Sequence, residues 1–244
     1  MSALMSRWKS LPLKWLALLG AVTGAALFSV WLSHRSLAAE LIRSEPSALL
    51  KNPALVAFAL RQAAPVYGEH CANCHGVMPE GKPKAGVPSL VDSSWLYSND
   101  LVSLEQIVLY GIRSGHPRSH NLADMPALGR LGVINDEQIE DIVQYVLNIS
   151  GQRADAARAE QGRQLFYGKG NCYDCHGGDA RGVSEYGTPS LVANVWIYGG
   201  DHDSLFSSIA NGRHGLCPSR AQTLTPLQVR ALAVSLHQGV SHSE

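Results

Sequence analysis

The pentapeptide Cys-x-x-Cys-His occurs twice in this 244-residue chain, and it restricts the possible folds more than any other feature. One copy runs from Cys71 to His75, and the other runs from Cys172 to His176, 101 residues further on. In this motif the two thiols attach covalently to a haem, and the histidine binds its iron. A single copy would also fit a redox dithiol or part of a zinc site. Two copies predict two covalent haems c, attached through Cys71, Cys74, Cys172 and Cys175, with His75 and His176 as axial ligands.

The repeat extends beyond the two pentapeptides. Pro88 lies 13 residues after His75, Pro189 lies 13 residues after His176, and each opens the tripeptide Pro-Ser-Leu. An axial histidine usually donates its second ring N–H to a carbonyl, which fixes the tautomer. In cytochromes c that carbonyl commonly belongs to the proline after the motif, so we assign this role to Pro88 and Pro189. A Trp-x-Tyr segment follows in each copy, at Trp95 and at Trp196.

This order of motifs predicts an all-α fold with two tandem class I cytochrome c domains behind an N-terminal transmembrane helix. We place the anchor at 1–35, a tether at 36–51, the first domain at 52–151, a linker at 152–159 and the second domain at 160–244. Capping signals mark the last helix of each domain. Asn135 with Gln138 and Thr225 with Gln228 have the capping-box spacing, and each pair precedes an apolar stripe at helical spacing. We also expect Ser103 to cap a helix in the first domain.

The segment from Trp15 to Leu32 has 18 residues without a charge, which is just enough to span a bilayer. The basic residues Arg7, Lys9 and Lys14 precede it and predict a cytoplasmic N-terminus. The alternative is a cleaved signal peptide, with 36–38 as the cleavage region. We favour the uncleaved anchor, because the apolar run is longer than a usual signal core. The protein then crosses its membrane once, with its haem domains in the periplasm or an equivalent compartment.

The distal ligand distinguishes electron transfer from gas or peroxide chemistry, since a methionine closes the iron site and an open site binds small molecules. Met125, followed by Pro126, lies where a class I cytochrome c keeps its distal methionine. The other methionines precede the anchor or, in the case of Met78, lie too close to the motif. We therefore predict Met125 as the ligand of the first haem, with a core role as the alternative.

The second copy has no methionine, and Cys217 occupies the equivalent place. Cys217 is also the cysteine that remains when the haem motifs are counted. Three interpretations compete. Cys217 binds the second iron, His214 binds it instead, or the position is open or holds water while Cys217 packs as a small apolar residue. A thiolate ligand would lower the haem potential strongly.

Composition adds few constraints. Lys plus Arg and Asp plus Glu are 20 each, so the formal net charge is zero, and nothing favours nucleic-acid binding. The predicted first domain has an excess of acidic side chains, which would attract a basic redox partner; the alternative is an ordinary solvated surface. Covalent haem c is attached outside the cytoplasm, which agrees with export of both domains.

These residues resemble the dihaem subunit III (CcoP or FixP) of cbb-type haem-copper cytochrome c oxidases, over about residues 36–240. The similarity includes both haem motifs, the Pro-Ser-Leu and Trp-x-Tyr segments, residues 52–59, the stretch 111–116 leading to Met125, and the stretch 211–213 leading to position 217. It implies an electron-entry subunit in respiratory electron transport and oxidative phosphorylation. The implied partners are a soluble electron donor, an oxygen-reducing catalytic subunit and a second cytochrome c subunit.

The chain departs from the family pattern at position 217, where the family normally has methionine, and in its shorter N-terminal region. Because some dihaem relatives exchange distal ligands between domains, a pairing of Met125 with the second haem and Cys217 with the first also stays open. Two other functional classes compete with electron transfer. One is a dihaem peroxidase-like enzyme with an open second haem, and the other is a haem-based gas or redox sensor that uses Cys217 as a switchable ligand.

Overall fold

The computed structural model describes residues 13–82, 85–91, 95–193 and 195–241. Within these ranges the regular structure is helical, with a few isolated β-bridges between loops, and the predicted all-α fold class is confirmed. The helices are α1 (Leu13–Arg43), α2 (Pro46–Leu50), α3 (Pro53–His70), α4 (Ala72–His75), α5 (Leu101–Tyr110), α6 (Asp136–Ile149), α7 (Ala156–Tyr167), α8 (Tyr173–His176), α9 (His202–Asn211) and α10 (Pro226–Ser241).

Both predicted capping boxes are present. The Asn135 side chain accepts from the Gln138 amide while the Gln138 side chain accepts from the Asn135 amide, and Thr225 and Gln228 pair in the same way. The prediction for α5 was wrong. Asp100 is the N-cap, since its carboxylate accepts from the amides of Val102 and Ser103, while the Ser103 hydroxyl donates to the same carboxylate.

Helix α1 contains the apolar segment and continues beyond it without a break. Its 31 residues give a length of about 46 Å, longer than a bilayer core. The residues from Trp15 to Leu32 have exposed side chains, as a lipid-facing segment requires, and their composition is apolar enough to cross a membrane. The basic residues Arg7 and Lys9 lie outside the described residues.

Residues 36–51, predicted as a tether, belong to the folded structure. Leu41 in the last turns of α1 and Leu49 in α2 are completely buried, and Leu37 and Ala38 pack against the same core. Burial of these apolar side chains fixes the end of the anchor helix to the domain behind it.

The buried residues form two separate cores, which define two haem units. The first unit consists of α3, α5 and α10, with the end of α1 against it. The second unit consists of α6, α7 and α9. Each unit includes one Cys-x-x-Cys-His motif, which follows α3 in the first unit and α7 in the second.

This grouping differs from the contiguous domains 52–151 and 160–244 expected from the sequence. Helix α6 was expected to close the first domain, but it packs on α7 and α9, while α10 closes the first unit against α3 and α5. The residues of the α6 stripe, Ile139, Ile142, Val143, Val146 and Leu147, are buried as predicted, but in the core of the other unit. The repeats therefore exchange their C-terminal helices.

The short connection before α7 accounts for the packing of α6. Helix α7 begins at Ala156, within the predicted linker 152–159, because Asp155 caps it by accepting from the amides of Ala157 and Arg158. Only residues 150–155 then separate α6 from α7, so the two helices pack as neighbours. At their crossing, Gly162 lies against the Asp141 carbonyl so closely that any side chain there would overlap the α6 backbone.

Candidate haem sites

The first motif forms a single helical turn, α4, directly after α3, and this turn places the His75 imidazole under a loop. The Nδ1 atom of His75 lies 3.1 Å from the Pro88 carbonyl oxygen, the partner that the 13-residue spacing predicts. The loop returns to the motif through the Gly81 amide, which donates to the His75 carbonyl. Gly81 has φ +74° and lies against the backbone of Val87 to Ser89, so this close approach needs a glycine.

The second motif has the same construction. Its turn, α8, follows α7, and Nδ1 of His176 lies 3.0 Å from the Pro189 carbonyl oxygen. The Gly182 amide donates to the His176 carbonyl, as Gly81 does in the first copy. Thr188 adds a further hydrogen bond to this loop, since its hydroxyl donates to the Cys175 carbonyl.

Both imidazoles are held in the form that can bind iron. Burial lowers the pKa of His75 and of His176, while the bond to the proline carbonyl opposes that shift in each case. A neutral imidazole whose Nδ1 donates to a carbonyl leaves Nε2 with its lone pair free for a metal.

The loops that carry the predicted distal residues pair with each other across the two repeats. Ile112 and Cys217 exchange two backbone hydrogen bonds of 2.9 and 3.0 Å. Met125 and Arg213 exchange another two, of 3.3 and 3.1 Å. Each distal segment is thus joined to the corresponding segment of the other repeat, and this is where the chain crosses between units.

The segment after Cys217 is attached to the first unit. The Arg220 amide and the Ser219 hydroxyl both donate to the Leu109 carbonyl at the end of α5, and the Arg220 guanidinium donates to the His70 carbonyl beside the first motif. Burial raises the pKa of the Cys217 thiol, the neighbouring Cys71 and Cys74 raise it further, and Arg220 opposes them. The Cys217 thiol therefore lies close enough to Cys71 and Cys74 for their charges to affect its pKa.

The segment after Met125 is attached to the second unit. Leu128 and Arg130 donate from their amides to the carbonyls of Ile209 and Ala210 at the end of α9. The Met125 side chain packs against the core of α6, α7 and α9, as does Cys172 of the second motif. Met125 of the first repeat thus packs on the second unit, while the segment after Cys217 of the second repeat is attached to the first unit.

His214, the alternative ligand, has another partner, and so does His202 in the same repeat. His214 is 60% exposed, and its Nδ1 lies 2.8 Å from a carboxylate oxygen of Asp124. His202 bridges Glu140 in α6 and Asp203 in α9 at 2.7 and 2.9 Å, on the surface of the second unit. Neither imidazole is directed towards a haem motif by these contacts.

An unpaired donor at the first core fits a bound haem. The indole Nε1 of Trp95 is buried and has no hydrogen-bond partner among the described residues, while its ring packs against the first core. A buried N–H needs an acceptor, and a haem carboxylate would supply one. With two thiols and a carbonyl-bound imidazole at each motif, and a sulfur side chain in the segment attached to each unit, the residues present fit the group.

Sequence reasoning missed Arg113, which connects the two paired segments. Its guanidinium donates to the carbonyls of Gly215 and Ala123 and forms an ion pair with Asp124 at 3.3 Å. The only signal in the sequence was its position inside the Gly-Ile-Arg-Ser-Gly stretch, which carried the family resemblance without assigning a role to the arginine.

Known proteins share this sequence over most of its length. The family model for "Cytochrome C oxidase, cbb3-type, subunit III" matches residues 58–146 and 157–234. The CcoP subunit of the cbb3-type oxidase from Rhodobacter capsulatus is 37% identical over 206 residues, which cover 81% of this chain and 68% of the relative. CcoP from Cereibacter sphaeroides is 34% identical, with 81% and 67% covered, and FixP from a Bradyrhizobium species is 37% identical, with 77% and 63% covered. The match thus spans about two thirds of each relative's length, and the chain belongs to the subunit III family of cbb3-type cytochrome c oxidases.

Proposed function

We propose that the chain is a dihaem electron carrier that passes electrons from a soluble donor towards an oxygen-reducing catalytic subunit. The observation that carries the proposal is the reciprocal backbone pairing of the distal segments, in which the side chains of Met125 and Cys217 are both partly buried. A haem iron supplies one-electron exchange between its ferric and ferrous forms. Sulfur and imidazole on opposite faces would close the iron to substrates, as electron transfer requires.

The residues of the chain attach, orient and shield the cofactor. Cys71 and Cys74 would hold one haem c and Cys172 and Cys175 the other, while His75 and His176 would bind the irons. The carbonyls of Pro88 and Pro189 keep both imidazoles in one orientation and tautomer, which is supported by the distances of 3.1 and 3.0 Å.

The distal ligands are exchanged in this proposal. Met125 serves the haem of the second motif, and Cys217 serves the haem of the first motif, the reverse of the simple assignment within each repeat. The contacts that support the exchange are those of Arg220 with the first unit and of Leu128 with α9. Cysteine in place of the family's methionine makes the two haems chemically different, with the first at the lower potential if the sulfur binds as thiolate.

The proposed location follows from α1. We infer that this helix spans the inner membrane once and that both haem units lie in the periplasm, with the first unit against the membrane surface because Leu41 and Leu49 are buried in it. The relatives are subunits of cbb3-type oxidases, so the proposed partners are the catalytic subunit and a second cytochrome c subunit in the same membrane.

The test is the spectrum of the purified, membrane-extracted protein. Mass spectrometry is expected to show two covalent haems, and both are expected to be low-spin and six-coordinate in the ferric and ferrous forms. Addition of CO to the reduced protein is expected to leave both spectra unchanged. A high-spin haem that binds CO would instead favour the peroxidase-like enzyme or the sensor, and a protein with zinc and no haem would contradict the proposal.

A further inference from the structure

The Trp-x-Tyr segment occurs in both repeats, and of its residues only Trp95 has a role in the haem sites described above. Each tryptophan stays in the unit of its own repeat, since Trp95 packs against the first core and Trp196 against the second. The tyrosine two residues after each tryptophan instead contacts the other repeat. Tyr97 and Tyr198 each lie against a glycine in the haem loop of the other repeat.

Tyr97 contacts the loop of the second motif. Its ring lies so close to Gly187 that any side chain at that position would overlap the ring and its hydroxyl. Gly187 has φ +64° and precedes Pro189 by two residues. Since the Pro189 carbonyl accepts from His176, the Tyr97 ring packs on the segment that holds this axial histidine.

Tyr198 makes the equivalent contact with the first motif. A side chain at Gly86, where φ is +76°, would overlap the Tyr198 ring. Gly86 precedes Pro88 by two residues, and the Pro88 carbonyl accepts from His75. The two contacts are thus reciprocal, and each crosses from one repeat to the proximal side of the other haem.

Residues of the paired distal segments contact both tyrosines. Tyr97 is buried, and its ring centroid lies 4.9 Å from that of His120, whose carbonyl accepts from the Arg113 amide. The Arg213 guanidinium lies over the Tyr198 ring at 4.5 Å from its centroid. Cation–π contact and burial restrict the ring, so each tyrosine is a fixed support for the loop.

We propose that Tyr97 and Tyr198 are crossed positioning residues, each of which holds the proline carbonyl that orients the axial histidine of the other repeat's haem. The inference rests on the haem attachment proposed above. The carbonyl makes its imidazole a more basic ligand, and a more basic ligand stabilises ferric iron. Removal of a tyrosine ring lets the haem loop of the other repeat withdraw and weakens the hydrogen bond between its proline carbonyl and its axial histidine. The potential of the haem attached to that other repeat then rises.

The experiment is a spectroscopic redox titration of the full-length protein in four variants. Tyr198→Ala is expected to shift the potential of the haem at Cys71–Cys74 upwards and to leave the other haem unchanged. Tyr97→Ala is expected to do the reverse, affecting the haem at Cys172–Cys175. The matched controls Tyr198→Phe and Tyr97→Phe keep the ring on the glycine, so both potentials are expected to stay near the wild-type values. The ferric charge-transfer band of methionine-bound haem identifies which haem has shifted.

A shift confined to the haem of the tyrosine's own repeat, or no shift at either haem, would overturn the inference. If an alanine variant does not accumulate, the corresponding valine variant is titrated with the same criterion, because valine keeps part of the packing but is too short to support the glycine as the ring does. A wild-type protein without two covalent haems would contradict the proposed function itself. Two normal haems with unmoved potentials in the alanine variants would contradict only the positioning role.

Discussion

The two haem units have the same parts but are assembled from different stretches of the chain. The second unit comes from one nearly continuous segment, since α6, α7 and α9 follow one another between Asp136 and Asn211. The first unit combines α3 and α5 with α10, which begins more than 100 residues after α5 ends, and with the end of the membrane anchor. The first unit therefore cannot close before the whole chain is made, whereas the second can form from local contacts.

The two units are expected to differ most in stability when α10 is removed. A chain that ends at Thr225 loses the helix that supplies Val229, Ala231, Leu232, Ala233 and Val234 to the first core. We expect α3 and α5 to lose hydrogen-exchange protection while α6, α7 and α9 retain it. Loss of protection confined to the second unit would show that α10 closes that unit instead.

Matched single substitutions test the same difference without a truncation. Leu232 and Ile142 are each about 1% exposed, one in each core. Leu232→Ala and Ile142→Ala are both expected to cost about 2–5 kcal/mol of unfolding free energy. In hydrogen exchange, the first is expected to loosen the unit of α3, and the second the unit of α7.

The potentials of the two haems give the next largest effect. Met125→His is expected to lower the potential of the haem at Cys172–Cys175, because imidazole donates more strongly to iron than a thioether does. Cys217→Met is expected to raise the potential of the haem at Cys71–Cys74, by on the order of a few tenths of a volt within the range that axial ligands span. Redox titration measures both. If neither variant changes a potential, these sulfur atoms are not ligands.

The crossing of α6 and α7 gives a smaller effect, confined to the second unit. Gly162→Val forces a side chain into the Asp141 backbone and is expected to destabilise that unit by roughly 1–3 kcal/mol. The control is Gly68→Ala in α3, where a methyl group meets nothing within 4 Å and stability should be unchanged or slightly higher. Denaturant unfolding followed separately at each haem distinguishes the two outcomes.

The N-cap of α5 gives the smallest effect, in the first unit. Hydrogen bonds from Ser103 and Ser98 lower the pKa of Asp100 to about 2. The carboxylate therefore stabilises the fold above the ordinary aspartate pKa of about 4, and this contribution disappears as the pH falls from about 4 to 2. Asp100→Ala is expected to cost about 1 kcal/mol at neutral pH. Asp100→Asn keeps a cap and should remove the pH dependence; equal pH dependence in both proteins would contradict the assignment.

The local parts of this structure could be predicted from the sequence, because they depend on short-range chemistry. The cap at Asn135, the spacing from His75 to Pro88 and the apolar stripe of α6 are all local patterns, and the structure has each of them. The partner of that stripe could not be predicted, because an amphipathic helix specifies which face is buried but not against which helix.

The same limit applies to the distal ligands and to the tyrosines. The spacing put Met125 and Cys217 at equivalent positions of the two repeats, but a repeat can close on itself or across to its copy with the same local pattern. The backbone pairing of Ile112 with Cys217 and of Met125 with Arg213 is long-range and has no sequence signature of its own. The capping role expected for Ser103 failed for a simpler reason, since Asp100 three residues earlier was the stronger N-cap.

The exchange of distal ligands can be tested in a protein that carries a single haem. Replacement of both Cys172 and Cys175 by alanine leaves only the haem at Cys71–Cys74, and Cys217→Met and Met125→Leu are then compared in that background. The exchange predicts that Cys217→Met changes the ferric spectrum and raises the potential of the remaining haem, while Met125→Leu leaves both as they were. The opposite result, with Met125 controlling the haem at Cys71–Cys74, would contradict the exchange and restore the assignment within each repeat.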